Sequence, residues 1–272
     1  MKSGHTGYLM VSQTSQSLIN SFDCPMCEDL GFIHYRDTEG HLMFKKCECF
    51  ARKQIKRRLE YSGINQDKQN ITLEAYKPYD DLTMSVKKIA EEYIKTFDNT
   101  KTWLTFLGQS GSGKTTLSIA IGLELINREN PVRVVYMPYI DTMRKLKACS
   151  RDNEYYEAIR KPFFDADFLI IDDLFKDRIK NSRLIKRYND ELELSEADTK
   201  HINPIIDYRY LNKKNTIIST ECNFYQLIEL DEALAYRISE MSGNGGLVLE
   251  FNSKKYNYRL GKGKILDMGR RS

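Results

Sequence analysis

Apolar and polar positions alternate along the chain in two distinct rhythms. Short apolar runs appear at Leu104–Leu107, Val132–Tyr136, Phe168–Ile171, Asn215–Thr220 and Leu247–Phe251. None alternates strictly between apolar and polar, which predicts strands buried on both faces, as in a parallel sheet. Longer stretches of helical period separate them. Asp80 caps one in which Val86, Ile89, Ala90, Tyr93, Ile94 and Phe97 recur at helical spacing. A second runs from Thr115 to Asn127, with Leu117, Ile119, Ala120, Leu123, Leu125 and Ile126 on its apolar face. Further helices are predicted over 140–148, 154–164, 199–211 and 225–230. The alternation predicts an α/β fold around a central parallel sheet. The charged stretch Lys176–Asp198 interrupts it and is predicted as a surface insertion or helix.

The first part of the chain has another character. Four of the six cysteines fall between Cys24 and Cys49, as Cys24-Pro25-Met26-Cys27 and Cys47-Glu48-Cys49. Between the pairs, 31–35 and 41–44 read as a hairpin turning near Glu39-Gly40. Two pairs of thiolates can close a tetrahedral Zn²⁺ site with no open position, a structural arrangement. The second pair is tighter than the usual two-residue spacing, so His34 or His41 in place of Cys47 or Cys49 stays open. A segment this small has little core, and zinc binding can contribute about 10–16 kcal/mol. Residues 51–62 then read as a basic helix. Domain limits follow: 1–63 as a zinc-binding domain with its basic helix, 64–78 as a linker, and 79–272 as the α/β domain.

Composition adds bounds. In 272 residues, 41% hydrophobic and 29% charged describe a soluble globular protein. No apolar run is long enough to span a membrane, and Met1–Asn20 has no signal-like apolar core, so a cytoplasmic protein without membrane contact is expected. The net charge of +4 conceals clusters: Lys45–Arg58 holds seven basic residues against one acid. Such a stretch suits a polyanion or a solvated face.

The most specific chemistry follows the strand at Leu104. Gly108-Gln109-Ser110-Gly111-Ser112-Gly113-Lys114-Thr115 has the spacing of a phosphate-binding loop between strand and helix. Its glycines permit a tight anion-cradling backbone, and the following helix directs N–H groups at phosphates. Lys114 supplies a point charge, Thr115 a hydroxyl for Mg²⁺, and Thr116 completes the first helical turn. Phe168–Ile171 ends in Asp172-Asp173, carboxylates at the C-terminal end of a buried strand, where open α/β sheets bind ligand. Asp172 is expected to hold Mg²⁺ and Asp173 to orient or deprotonate water. The end of the next strand, Ser219-Thr220-Glu221, stands where a γ-phosphate sensor would.

Together the phosphate loop, LIIDDLFK, IIDYRYLNKKNTIIST and LDEALAYRISEM resemble the AAA+ ATPases, and more closely the DnaC/DnaI-type helicase loaders of Gram-positive bacteria and their phages. The resemblance covers about residues 23–260, including the cysteine-rich segment and basic helix. It implies an AAA+ core with no full lid domain. It also implies ATP/ADP and Mg²⁺ at the loop, Thr220 at the first sensor, Arg237 as an arginine finger reaching a neighbouring subunit, and Arg259 as a second sensor. Asp173 departs from the glutamate of many relatives, which implies slow turnover stimulated by a partner. The implied function is loading of a hexameric DnaB-type replicative helicase onto single-stranded DNA. The zinc domain would dock on the helicase, subunits would self-assemble with ATP, and Arg144, Lys145 and Lys147 would contact DNA. Two alternatives stand beside it: an IstB-type transposition ATPase, and a zinc-containing helicase adaptor or inhibitor with little turnover.

Overall fold

A computed structural model describes residues 23–99, 101–185, 196–243 and 248–251. The chain divides into two compact units, 1–54 and 55–272. In the smaller, β1 (Phe32–Arg36) and β2 (Leu42–Lys46) form the expected antiparallel hairpin, Phe32 opposite Lys46 and Arg36 opposite Leu42. Gly40, with φ +87°, takes the left-handed turn. The Asp37 carboxylate secures it by accepting from the backbone N–H of Glu39 and His41. The division between units falls within α1 (Cys49–Ser62), so residues 55–62 belong with the larger one.

In that unit, α2 (Asp81–Thr96) begins at a capping box, Asp80 accepting from the Thr83 N–H while Thr83 accepts in return. The chain continues through β3 (Leu104–Gly108), α3 (Lys114–Asn127), β4 (Val134–Pro138), α4 (Tyr139–Ala148), α5 (Asn153–Asp165) and β5 (Phe168–Leu174). The ribbon β6 (Ile179–Lys180) and β7 (Arg183–Leu184) precedes α6 (Glu196–Leu211), β8 (Asn215–Thr220), α7 (Phe224–Leu230), α8 (Glu232–Met241) and β9 (Val248–Phe251). Five strands form one parallel sheet in the order β4-β5-β8-β3-β9. Every expected strand is present. Where the charged insertion was expected, the described residues form a 3₁₀ turn (Lys176–Arg178) and then the short β6–β7 ribbon; positions 186–195 lie outside them.

Successive strand residues enter opposite cores, as the pleat requires. Leu104, Phe106, Val134, Phe168, Ile170 and Ile217 pack with α2 and α3. Leu107, Val135, Met137, Leu169, Ile171 and Ile218 pack with the helices of the other face. On the first face Gly122 lets α3 lie close to the sheet. A Cβ there would stand 2.7 Å from Ile170 Cδ1 and 3.3 Å from Val134 Cγ1. On the second, fully buried Arg209 donates to the carbonyls of Phe163, Ala166 and Asn215 and to Thr216 Oγ1. It thereby ties the end of α5 to the start of β8, and burial lowers its pKa to about 9.

Residues 64–78, expected as a linker, are packed instead. Ile64, Leu73 and Tyr76 are buried in the core cluster that contains α2 and α3. The polar sequence concealed this, because three well-spaced apolar side chains suffice to anchor such a segment. Among the described residues no helix is long and apolar enough to cross a membrane.

Candidate nucleotide-binding site and metal centre

A cavity of about 480 Å³ lies at the C-terminal ends of β3 and β5 and is lined by the loop from Ser110 to Thr116, by Asp173, Lys176 and Glu221, and by Ala75, Tyr76 and Lys77. The loop has the backbone its sequence predicts: φ is +105° at Gly108, +81° at Gly111 and +87° at Gly113. Gly113 precedes α3 without a side-chain cap, leaving the helix N-terminus directed at the cavity for an anion.

Lys114 is folded back into the loop. Its Nζ donates to the carbonyls of Gly108 and Gln109, each at 2.7 Å, and lies 3.4 Å from Ser112 Oγ. Ser112 Oγ in turn donates to Gln109 O. The lysine is only 5% exposed, and burial lowers its pKa from 10.5 to about 8. The loop thus holds a cation in a poorly solvated place whose partners are neutral carbonyls, an arrangement that an incoming polyphosphate relieves.

Asp172 is buried and accepts from three hydroxyls. Thr115 and Ser219 donate to Oδ1, and Tyr136 donates to Oδ2 at 2.7 Å. Burial and the facing carboxylate raise the Tyr136 pKa, so its phenol remains a proton donor. Thr115 Oγ1 stands 2.8 Å from the carboxylate, a pair of hard oxygen donors beside the phosphate loop. That chemistry fits Mg²⁺, which Thr115 and Asp172 would hold directly or through water.

Asp173 reaches the cavity because β5 is irregular there. Its register against β8 shifts between Ile171 and Leu174, and Asp173 and Phe175 take φ of +58° and +57°. Two β8 hydroxyls secure the bend: Ser219 Oγ accepts from the Asp173 N–H, and Thr220 Oγ1 donates to the Leu174 carbonyl at 2.6 Å. Thr220, expected to sense phosphate, is fully buried and committed to that carbonyl. The side chain that enters the cavity from this strand end is Glu221. Lys176 lies between the two acids, its Nζ 2.6 Å from Asp173 Oδ2 and 3.3 Å from Glu221 Oε1. Burial opposes its charge, but the two carboxylates outweigh that and raise its pKa.

Sequence reasoning missed Tyr136 and Lys176, and also the segment carrying Ala75, Tyr76 and Lys77; Glu221 was read only as part of the strand end Ser219-Thr220-Glu221. A lysine three residues beyond Asp173, in a helical turn, was the signal available for Lys176. For Tyr136 there was none, since the neighbour of its strand is set by the sheet.

In the smaller unit, Cys24, Cys27, Cys47 and Cys49 are buried, and their sulfurs all lie within 4.8 Å of one another. Cys24 Sγ and Cys47 Sγ are 3.6 Å apart, and Cys27 Sγ and Cys49 Sγ 3.3 Å. The Zn–S bond length implies edges of roughly 3.8 Å in a tetrahedral site, so the four thiols fit that ion. Around them, the Gly31 N–H donates to Cys27 Sγ, and Asp29 accepts from the Asp23 and Cys24 N–H groups and pairs with Lys53. The histidines are elsewhere: His34 packs edge-on against Phe44, and His41 Nδ1 is 3.2 Å from Asp37.

The family model described as IstB-like ATP binding protein matches residues 30–238. The chain belongs to this family. Two curated proteins are similar to the chain over most of their length. The PBSX phage-like element protein XkdC of Bacillus subtilis is 30% identical, with 93% of this chain and 91% of XkdC covered. The replicative helicase loader DnaC of Escherichia coli is 26% identical, with 76% and 77% covered. Two solved structures share the fold. That of the DnaC helicase loader has a TM-score of 0.56 at 22% identity, over 69% of this chain and 99% of the other. That of DnaI has a TM-score of 0.54 at 20% identity, over 70% and 94%. The AAA+ core read from the sequence is therefore the fold of this IstB-like protein.

The remaining site expectations are scattered over that fold. Arg237 is on α8, outside the cavity, with Nη1 3.0 Å from Asp207 Oδ1. On α4, Arg144 pairs with Asp141, Lys145 is exposed, and Lys147 is bound to buried Asp198. Arg259 lies outside the described residues.

Proposed function

We propose that this IstB-like protein is an ATP-dependent loader of a hexameric replicative helicase. The carrying observation is the pairing in one chain of a phosphate-loop cavity with a four-cysteine hairpin that exposes Met26, Leu30, Leu42 and Phe44. A hairpin that gives so much apolar surface to water suits a partner, and similarity to DnaC over three quarters of the chain suggests a DnaB-type helicase.

ATP enters with its phosphates on the loop N–H groups and Lys114; Thr115 and Asp172 would hold Mg²⁺, which would supply positive charge beside the phosphates. Asp173 accepts a proton from the attacking water as the bond from the γ-phosphorus to the bridging oxygen breaks, and the electron pair leaves with ADP. Turnover is slow without a partner, because the Asp173 side chain is shorter than the glutamate that many AAA+ relatives carry at this place. Arg237 serves as the finger that a neighbouring subunit inserts, so ATP promotes self-assembly. Arg144 and Lys145 offer charge to single-stranded DNA, and Zn²⁺ on the four cysteines keeps the docking hairpin folded.

The test is size-exclusion chromatography with light scattering of the protein mixed with its host's replicative helicase, with and without ATP. An ATP-responsive complex is expected. Its absence, together with ATP-driven assembly on duplex DNA, would favour the second reading, a transposition ATPase, which the IstB-like family description keeps in view.

A further inference from the structure

We propose that Lys176 is the residue that distinguishes ATP from ADP, by exchanging its carboxylate partners for the γ-phosphate. The inference rests on the nucleotide reading of the cavity and adds a role that the loop and the acid-ended strand leave unfilled.

Lys176 lines the same cavity as the phosphate loop, yet comes from a different element, the 3₁₀ turn Lys176–Arg178 that follows β5. Its Nζ is held by two acids, Asp173 at 2.6 Å and Glu221 at 3.3 Å. The triad carries a net charge of one minus. Without the lysine it would face an incoming polyphosphate with two. Lys114, the other lysine of the cavity, is buried in the loop among the Gly108 and Gln109 carbonyls and serves the phosphates cradled there. Lys176 is paired with Asp173, the acid placed to orient water at the outermost phosphate. A cation at that place meets the γ-phosphate of ATP and nothing comparable in ADP.

The geometry also permits the exchange. The backbone is fixed, because Phe175 takes a left-handed conformation and the Thr220 hydroxyl pins the Leu174 carbonyl. The side chain is not: it is 40% exposed, and partly solvated ion pairs are weak and reversible. A γ-phosphate carries more charge than either carboxylate and more acceptor oxygens, so it competes effectively for a flexible ammonium group. Transfer of Lys176 leaves the Asp173 carboxylate unpaired, at the moment a base is needed. One movement then couples recognition of ATP to release of the base, while ADP leaves the triad closed. Lys176 acts on the chemistry through Asp173 and is in that respect a positioning residue.

The experiment is calorimetric titration of the full-length protein, with Mg²⁺, against a non-hydrolysable ATP analogue and separately against ADP. Loss of one charge-assisted hydrogen bond predicts that K176Q binds the analogue about tenfold more weakly, with a clearly smaller loss for ADP, which meets only the added net charge. K176R, which keeps the cation, should retain the preference for the analogue. Melting followed by the fluorescence of buried Trp103 verifies that each variant is folded. Equal weakening of both ligands by K176Q, or no weakening of either, overturns the proposal. So does the same loss in K176R, which assigns the effect to packing. Failure of the wild type to bind either nucleotide is a separate outcome that removes the cavity reading and this one with it.

Discussion

Lys114 lets a functional reading be tested through stability. In the absence of nucleotide its ammonium group is almost wholly buried, and its pKa falls from 10.5 to about 8. Folding therefore disfavours the charged form. Below pH 8 both the folded and unfolded chains carry the proton, and the full penalty applies. Between pH 8 and 10.5 the unfolded chain binds more protons than the folded one, so stability gains as pH rises. Above 10.5 the penalty is gone. At about 1.4 kcal/mol per pH unit, the shift corresponds to roughly 3 kcal/mol at neutral pH.

Lys114→Met removes the charge while filling much the same space. The variant should then be more stable than the nucleotide-free wild type by roughly 3 kcal/mol at pH 7, and the gap should close toward pH 10.5. It should also fail to bind ATP. Urea unfolding at several pH values, read by the single tryptophan, Trp103, measures the difference directly. Other titrating groups, including the cysteines, cancel between the two proteins. A variant less stable at pH 7, or a gap that does not narrow between pH 8 and 10.5, would refute the account of a cation held at a cost for its ligand. A companion signature is proton uptake on nucleotide binding above pH 8, seen as a buffer-dependent binding enthalpy.

Two further outcomes are expected. Cys27→Ser should lose bound zinc by elemental analysis and abolish partner capture, while Trp103 still reports a folded larger unit; full metal retention would reject the four-cysteine site. Arg237→Ala breaks the ion pair with Asp207 at a half-exposed site, so stability should change by no more than about 1 kcal/mol. Nucleotide affinity should persist while ATP-dependent assembly, followed by light scattering, is lost. Normal assembly in that variant would remove the finger assignment.

Some of this protein was settled by local sequence. Five strands, the phosphate loop and the acid-ended strand were legible because their determinants lie within a few residues of one another: apolar-rich runs, glycines at positive φ, and a lysine and threonine at a helix start. The four cysteines were legible for the same reason, since a hairpin brings two close pairs together, and the structure collects Cys47 and Cys49 rather than His34 or His41. Other features depend on partners far apart in sequence, which only the folded chain brings into contact. Tyr136 meets Asp172 because β4 lies beside β5. The bulge in β5, held by Ser219 and Thr220, turns Asp173 into the cavity and carries Lys176 to Glu221. Packing of Ile64, Leu73 and Tyr76 makes a wall of the nucleotide cavity from a stretch that reads as a linker. Composition cannot reveal these, because burial and hydrogen bonding at each position depend on which element the sheet order places next to it.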